Sequence, residues 1–334
     1  SQLDPVAARN FYSAVLRLKS ERGITILVAD HRPDLLAACD SVLYLKNGSA
    51  AFFGSPEGLA EYLPANNDPM RQMLPSYTQI LENHPLDYAS AKRQLCNVAA
   101  KKAESNYDYP VALKTHGLAF AYKKGGEDVL FCLDYTAKKG CINAIVGANG
   151  SGKTTLLKCL CKILKPYGGR IKTDGKAAYM PQNVQALFLC DTVREEISDD
   201  ALVREFGLEK LLDANPFDLS GGEAQRLAVA KIVQTGADIL LLDEPTKSVD
   251  AAFKAELAQI LRKLCLGGKT VVLVTHDIEF AGRYADFVSF LFDGKIAASA
   301  PRRQFFAALD IYTTSLSAMT GGRIVSIDDA EVSP

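Results

Sequence analysis

Gly147-Ala148-Asn149-Gly150-Ser151-Gly152-Lys153-Thr154 governs how the remainder of the chain is read. Its pattern, G-x-x-x-x-G-K-T, is that of a phosphate-binding loop. The apolar run Cys141-Ile142-Asn143-Ala144-Ile145-Val146 precedes it and reads as a buried strand. Thr155-Leu156-Leu157-Lys158-Cys159-Leu160 follows with helix-forming, amphipathic character. Between a strand and a helix, glycines can turn backbone N–H groups inward around phosphate oxygens, and the helix N-terminus adds positive potential. There the Lys153 ammonium reaches the β- and γ-phosphates and the Thr154 hydroxyl is placed to ligate Mg²⁺. A chance glycine turn before a helix is the alternative, and the presence of both flanking elements argues against it.

Downstream, Tyr179-Met180-Pro181-Gln182 closes a short strand on a polar residue, a weak signal taken alone. Asp218-Leu219-Ser220-Gly221-Gly222-Glu223 sets a serine and two glycines at a helix start, which suits either phosphate or a plain helix cap. Asp238-Ile239-Leu240-Leu241-Leu242-Asp243-Glu244 is an apolar strand ending in two carboxylates. Such a run belongs in the middle of a parallel sheet covered on both faces. Ligands bind at the carboxyl ends of those strands, so Asp243 and Glu244 are delivered toward the phosphate loop.

Six elements in this order resemble the ATP-binding cassette (ABC) ATPases, over residues 111 to 300. The resemblance implies an α/β, P-loop NTPase fold of ABC type. It carries a mainly parallel core sheet, an N-terminal antiparallel β region and a helical signature subdomain. It makes Gly147 to Thr154 the Walker A loop, with Asn149, Gly150, Ser151, Gly152 and the following Thr155 around the nucleotide. Gln182 becomes the Q-loop glutamine, a catalytic residue and a metal contact beside Thr154. Leu219 to Glu223 is the signature, with Glu where Gln is more usual, and Ser220, Gly221 and Gly222 face nucleotide. Asp243 is the Walker B aspartate on Mg²⁺, Glu244 the general base, and His276 the H-loop histidine. Ser248-Val249-Asp250 is the D-loop, with Ser-Val where a small residue and leucine are usual, and Asp250 is counted among the nucleotide contacts. Tyr122 sits where the family stacks an aromatic ring on adenine. ATP and Mg²⁺ are the implied cofactors, each ATP lying between the Walker A loop of one cassette and the signature of another.

The chain also repeats itself. Ile24-Thr25-Ile26-Leu27-Val28 leads to His31 as Val271-Val272-Leu273-Val274 leads to His276. Asp4 matches Asp250, Asp40 matches Asp286 and Gly48 matches Gly294, at offsets of 245 to 246. The first copy has no phosphate loop, so residues 1–63 read as the C-terminal remnant of a first cassette within a longer parent. Its expected elements are a helix with Val6, Phe11, Val15 and Leu16 in contact, a strand at Ile24 to Val28, a helix at Pro33 to Ala38, and a strand at Ser41 to Leu45. Residues 64–108, with the turn-rich Pro64 to Pro69 and Asn83-His84-Pro85, read as a linker carrying some helix. A complete cassette occupies 109–300 and opens on a hairpin region, with strands at Val111 to Leu113, Leu118 to Tyr122 and Val129 to Leu133. A tail occupies 301–334.

Two cassettes in one chain, with Ala29-Asp30-His31-Arg32 in one and Asp243-Glu244-Pro245-Thr246-Lys247 in the other, resemble the ATPase of energy-coupling factor (ECF) importers. Phe305-Phe306, Ile311 to Thr314 and Ile324 to Asp329 fit that group. The resemblance implies a peripheral ATPase on the cytoplasmic face of the membrane, energising uptake of a vitamin or metal ion. Its partners would be a transmembrane coupling protein, a substrate-binding membrane component and a second ABC domain. A soluble twin cassette acting on ribosomes is the alternative, but such proteins carry a long, strongly basic linker and 64–108 is neither. A chromosome or repair ATPase inserts a coiled coil between Q-loop and signature, and Gln182 and Ser220 are only 38 positions apart. A structural, inactive cassette is disfavoured by the intact Lys153, Asp243, Glu244 and His276.

Composition agrees. A 48% hydrophobic content supports a substantial core, and a formal net charge of −1 offers no electrostatic basis for binding nucleic acid. No apolar run approaches the ~20 residues that span a bilayer. The eight cysteines are scattered, and Cys159 and Cys161 point apart on one helix, so they read as reduced thiols rather than a metal pair.

Overall fold

The computed structural model describes residues 5–29, 33–81, 83–102, 107–247, 249–309 and 312–331. They cluster into two units. One is chiefly residues 106–305, the stretch read above as a complete cassette; the other combines the N-terminal hundred residues with the C-terminal tail.

The second unit begins with α1 (Pro5–Arg22), β1 (Val42–Lys46), β2 (Ser49–Gly54) and α2 (Pro56–Ala65). It continues through the short helices α3 (Ser76–Ile80) and α4 (Tyr88–Leu95) to β3 (Ala99–Ala100). The stretch expected as a linker is thus folded: Tyr77, Ile80, Ala91 and Leu95 are buried in one core with Leu316, Met319 and Ile324 of the tail. Arg323 ties the two together by donating to the carbonyls of Leu95 and Val98. These contacts join residues over 220 positions apart, which local pattern cannot display.

Within the cassette, β4 (Val111–Phe120) and β5 (Leu130–Lys138) pair antiparallel, and β7 (Gly168–Thr173) lies on the other edge of β4. The strands expected at Val111 to Leu113 and Leu118 to Tyr122 are one strand, bent rather than broken. Gly117 takes φ +58° at the bend, where its N–H donates to Asp134 Oδ1 at 2.7 Å. A bulge of this kind lets an extra residue sit in a continuous ladder. Between β5 and β7 come β6 (Ile142–Val146) and α5 (Lys153–Leu160). After β7 come β8 (Ala177–Met180), then α6 (Val193–Glu196), α7 (Asp200–Glu205) and α8 (Gly221–Gln234). The chain continues through β9 (Ile239–Asp243), α9 (Ala251–Leu266), β10 (Thr270–Val274), α10 (Ile278–Tyr284), β11 (Phe287–Phe292), β12 (Lys295–Pro301) and α11 (Arg302–Ala308). In the other unit α12 (Ser315–Thr320) and β13 (Ala330–Glu331) end the tail, β13 pairing with β3.

The central sheet has the order β12-β11-β6-β10-β9-β8. All its pairings are parallel except β11 with β12. Every residue of β6, β9 and β10 is buried, as strands covered on both faces require. Leu156, Leu157 and Leu160 of α5 pack in one core with Ile145, Leu241 and Val272 of this sheet and with Leu113, Leu118, Leu130 and Leu133 of the antiparallel one. That core pins the N-terminus of α5 above the carboxyl ends of β6, β9 and β10.

The repeat is visible in the elements. Adding 246 carries the starts of α1, β1, β2 and α2 to within one residue of those of α9, β11, β12 and α11. The first copy departs at Ile24 to Val28, which forms no strand, with Leu27 98% exposed. Its counterpart β10 is sandwiched between β6 and β9, and the described residues among 1–63 contain no counterpart of either strand. Phe11 and Leu16, expected in contact, are exposed, and Pro33–Ala38 is a 3-10 helix. His31 and Asp4 lie outside the described residues, as does Ser248 of the D-loop.

Candidate functional site

The phosphate loop joins β6 to α5 with glycines where side chains do not fit. A Cβ on Gly147 would stand 2.3 Å from the Leu291 carbonyl, and Gly152 holds φ +101° as the N-cap of α5. Lys153 is buried, its Nζ donating to the Gly147 and Ala148 carbonyls at 2.9 Å each. Ser151 is buried as well, and its Oγ has no hydrogen-bond partner among the described residues. A buried hydroxyl without a partner is costly, and in this loop its natural partner is an anion's oxygen. The donor set therefore fits a polyphosphate. Asn149 and Gly150 are exposed at the crest of the loop.

Thr154 and Asp243 meet as expected. Thr154 Oγ1 donates to Asp243 Oδ1 at 3.1 Å, and Asp243 is 1% exposed at the end of β9. Its Oδ2 accepts from the Tyr179 hydroxyl at 2.8 Å. Burial pushes the Asp243 carboxyl above its ordinary range, against the pull of these two hydrogen bonds. A carboxylate and a hydroxyl at this spacing are oxygen ligands of the kind Mg²⁺ takes.

Glu244 is 6% exposed and adopts φ +52°, a conformation uncommon outside glycine. Residues held so cluster at functional sites, where surrounding structure imposes the geometry. Glu244 Oε2 lies 2.8 Å from His276 Nδ1 and accepts from the His276 backbone N–H at 3.2 Å. Parallel pairing of β9 with β10 sets Asp243 beside Val274, which places Glu244 and His276 just beyond the two strand ends. Glu244 Oε1 has no hydrogen-bond partner among the described residues and is not sealed from solvent.

Tyr122 keeps a ring that is 62% exposed, and its hydroxyl lies 3.0 Å from Thr155 Oγ1 at the base of α5. Other expected residues are not gathered in. Gln182 is exposed beyond the end of β8, with no hydrogen-bond partner among the described residues. Asp250 is exposed just before α9. Ser220 caps α8 in a capping box with Glu223: its N–H donates to Glu223 Oε2 at 2.9 Å and its Oγ at 2.6 Å. Hydrogen bonds from the Ser220 side chain and backbone hold the Glu223 carboxyl below its usual range. Gly222 packs tightly, since a Cβ there would meet the Phe253 ring at 3.0 Å. Tyr179 is the residue that sequence reading missed. Its one signal is a lone aromatic in the small-residue strand Ala177-Ala178-Tyr179-Met180, three positions before Gln182.

Known proteins resemble this chain in sequence and fold. The ABC transporter family model matches residues 130–247. A protein of Pyrococcus abyssi, named as an ABC transporter ATP-binding protein, is 36% identical over 57% of this chain and 84% of its own length. The chain belongs to the ABC transporter ATP-binding family. A Bacillus thuringiensis protein of the same description is 31% identical over 95% of this chain, which spans 64% of that relative's length. A protein of Bacillus subtilis named for HMP/thiamine import is 28% identical over 92% of this chain and 61% of its own length. Among solved structures, cbiO1 of Clostridium perfringens, described as part of the transporter complex cbiONQ, superposes with TM-score 0.54 at 26% identity, covering 59% of this chain and 91% of its own. A dimeric ATP-binding cassette bound to ADP and Pi in a post-hydrolysis state gives TM-score 0.52 at 27% identity, covering 57% and 98%. Both likenesses lie in the P-loop cassette fold built above.

Proposed function

We propose that this chain binds and hydrolyses ATP and that hydrolysis energises a membrane importer. The observation that carries the proposal is the meeting, at the ends of β6, β9 and β10, of a phosphate cradle with a carboxylate–hydroxyl pair and a carboxylate–imidazole pair. Lys153 exchanges the Gly147 and Ala148 carbonyls for phosphate oxygens, while Ser151 and the loop N–H groups complete the cradle. Thr154 and Asp243 would hold Mg²⁺, which would supply neutralisation of charge on the phosphate oxygens. Glu244 accepts, on its open Oε1, a proton from the water that attacks the terminal phosphorus, and ADP and phosphate leave. His276 holds Oε2 and so aims the other oxygen. Tyr122 stacks on adenine.

Ser220, Gly221, Gly222 and Asp250 act across a pair of cassettes, the signature of one covering nucleotide held by the loop of the other, and Gln182 would be a metal contact beside Thr154. Residues 1–63 are the last part of such a second cassette, 64–108 joins the two, and 301–334 is a tail. The common order of α1, β1, β2, α2 and α9, β11, β12, α11 supports that division. The HMP/thiamine import relative and the cbiONQ component support an ECF-type importer for a vitamin or metal ion. Its ATPase would sit on the cytoplasmic face against a transmembrane coupling protein and a substrate-binding component. No described helix is long and apolar enough to cross a membrane.

The test is co-expression with candidate transmembrane partners in vesicles, followed by ATP turnover with and without cargo. Turnover that needs Mg²⁺ and rises with partner and cargo is the expected result. Turnover indifferent to every transmembrane partner refutes import, and absence of Mg²⁺-dependent ATP binding refutes the ATPase reading.

A further inference from the structure

Asp243 has two oxygens, and two different elements hold them. Thr154 Oγ1, from the start of α5, lies 3.1 Å from Oδ1, and the Tyr179 hydroxyl, from β8, lies 2.8 Å from Oδ2. The pairing of β8 with β9 sets Tyr179 beside Leu241. The tyrosine therefore reaches two positions along the neighbouring strand, a distance only a long side chain ending in a donor can cover. β8 is an edge strand, bonded on one side only, and it runs directly into Pro181 and Gln182. Its ladder to β9 runs to Met180 opposite Leu242, and the phenol on the carboxylate adds a side-chain tie at the same end.

We propose that Tyr179 is a positioning residue for the metal: its hydroxyl fixes the rotation of the Asp243 carboxylate and so presents Oδ1, beside Thr154, to Mg²⁺. The inference rests on the ATPase reading above. A carboxylate at a strand end can rotate about its last bond, and each rotation moves both oxygens. A donor on Oδ2 and a hydroxyl on Oδ1 leave one orientation in which both are satisfied. Such an outer-shell donor sets the geometry of a ligand without touching the metal, and its loss typically weakens metal binding by about 10- to 100-fold.

The experiment compares the unmodified chain with Tyr179→Phe, Asp243→Asn and the double variant. ATP affinity is measured in EDTA and across a Mg²⁺ titration. The expected result for Tyr179→Phe is ATP affinity in EDTA within about twofold of the unmodified chain and a Mg²⁺ midpoint raised about 10-fold or more. In the Asp243→Asn background, Tyr179→Phe should move the midpoint less than about twofold, because the carboxylate it orients is gone. The affinity in EDTA doubles as the folding control. A loss there equal to the loss with Mg²⁺ means that Tyr179 merely supports the fold, and overturns the proposal. So does an unchanged Mg²⁺ midpoint, or the same shift in both backgrounds. If the unmodified chain shows no Mg²⁺-dependent binding at all, the ATPase reading fails and takes this inference with it. Mg²⁺-dependent binding with an unmoved midpoint defeats this inference alone.

Discussion

If Glu244 is the base proposed above, Glu244→Gln should separate binding from chemistry at this site. The amide has the size of the carboxylate and can keep a hydrogen bond to the His276 backbone N–H, now 3.2 Å from Oε2. No group of the phosphate cradle touches Glu244 through any hydrogen bond described here: Lys153 bonds Gly147 and Ala148, and Thr154 bonds Asp243. ATP affinity should therefore stay within about threefold, less than the 1.4 kcal/mol of a tenfold change. The loss falls on Oε1, the oxygen open to a water, because an amide there cannot accept a proton. General base catalysis contributes about 10²- to 10⁴-fold, so the barrier should rise by roughly 3–5 kcal/mol. The assay is single-turnover ATP hydrolysis at saturating Mg²⁺, with affinity from displacement of a fluorescent nucleotide, across a protein dilution series that exposes any need for a second cassette. Turnover within a few-fold of the unmodified chain would refute Glu244 as base. A comparable fall in affinity would refute the separation of the two roles.

Three other outcomes follow from the same contacts. Tyr122→Ala should weaken ATP binding by the ~1–3 kcal/mol of a lost base–aromatic stack while leaving tripolyphosphate binding unchanged; equal losses for both ligands would count against stacking. Lys231→Met removes the ammonium paired with buried Glu196, whose Oε1 still accepts from Cys190 N–H at 2.8 Å, so a loss of about 2–4 kcal/mol in unfolding free energy is expected by denaturant titration. Burial pushes the Glu196 carboxyl up, but Lys231 and the Cys190 and Leu189 N–H groups outweigh it and hold it below its usual range. That contribution is present above the unfolded carboxylate pKa and disappears as pH falls through the lowered folded value, so the deficit of the variant should shrink on acidification; a deficit independent of pH would contradict the pairing. Deleting residues 313–334 removes Leu316, Met319 and Ile324 from the core around Tyr77 and Leu95, at roughly 1.5–3 kcal/mol for each buried side chain. Residues 76–100 should then lose hydrogen-exchange protection while ATP binding by the cassette persists; unchanged protection would show that the tail is dispensable there.

Much of the catalytic arrangement was legible before any coordinate, because its parts are local. A phosphate loop is eight consecutive residues whose glycines answer to backbone needs on the spot, as the 2.3 Å approach at Gly147 makes plain. Asp243 and Glu244 could be sent to the loop because an all-apolar strand can lie only inside a sheet covered on both faces, and its end is then at the ligand edge. Even the repeat, with its offset near 246, is a property of order along the chain. What sequence order could not carry is contact between elements it does not bring together. Tyr179 reaches Asp243 across 64 positions, through a strand register that no local pattern announces. Residues 64–108 read as a linker because their helices are short and their apolar partners lie beyond position 312, over two hundred residues away. Ile24 to Val28 has the composition of a strand and forms none, since a strand exists only by pairing, and the described residues among 1–63 hold no strand corresponding to β6 or β9. Propensity is written residue by residue, whereas hydrogen-bond partners and buried neighbours are supplied by whatever the rest of the fold places alongside.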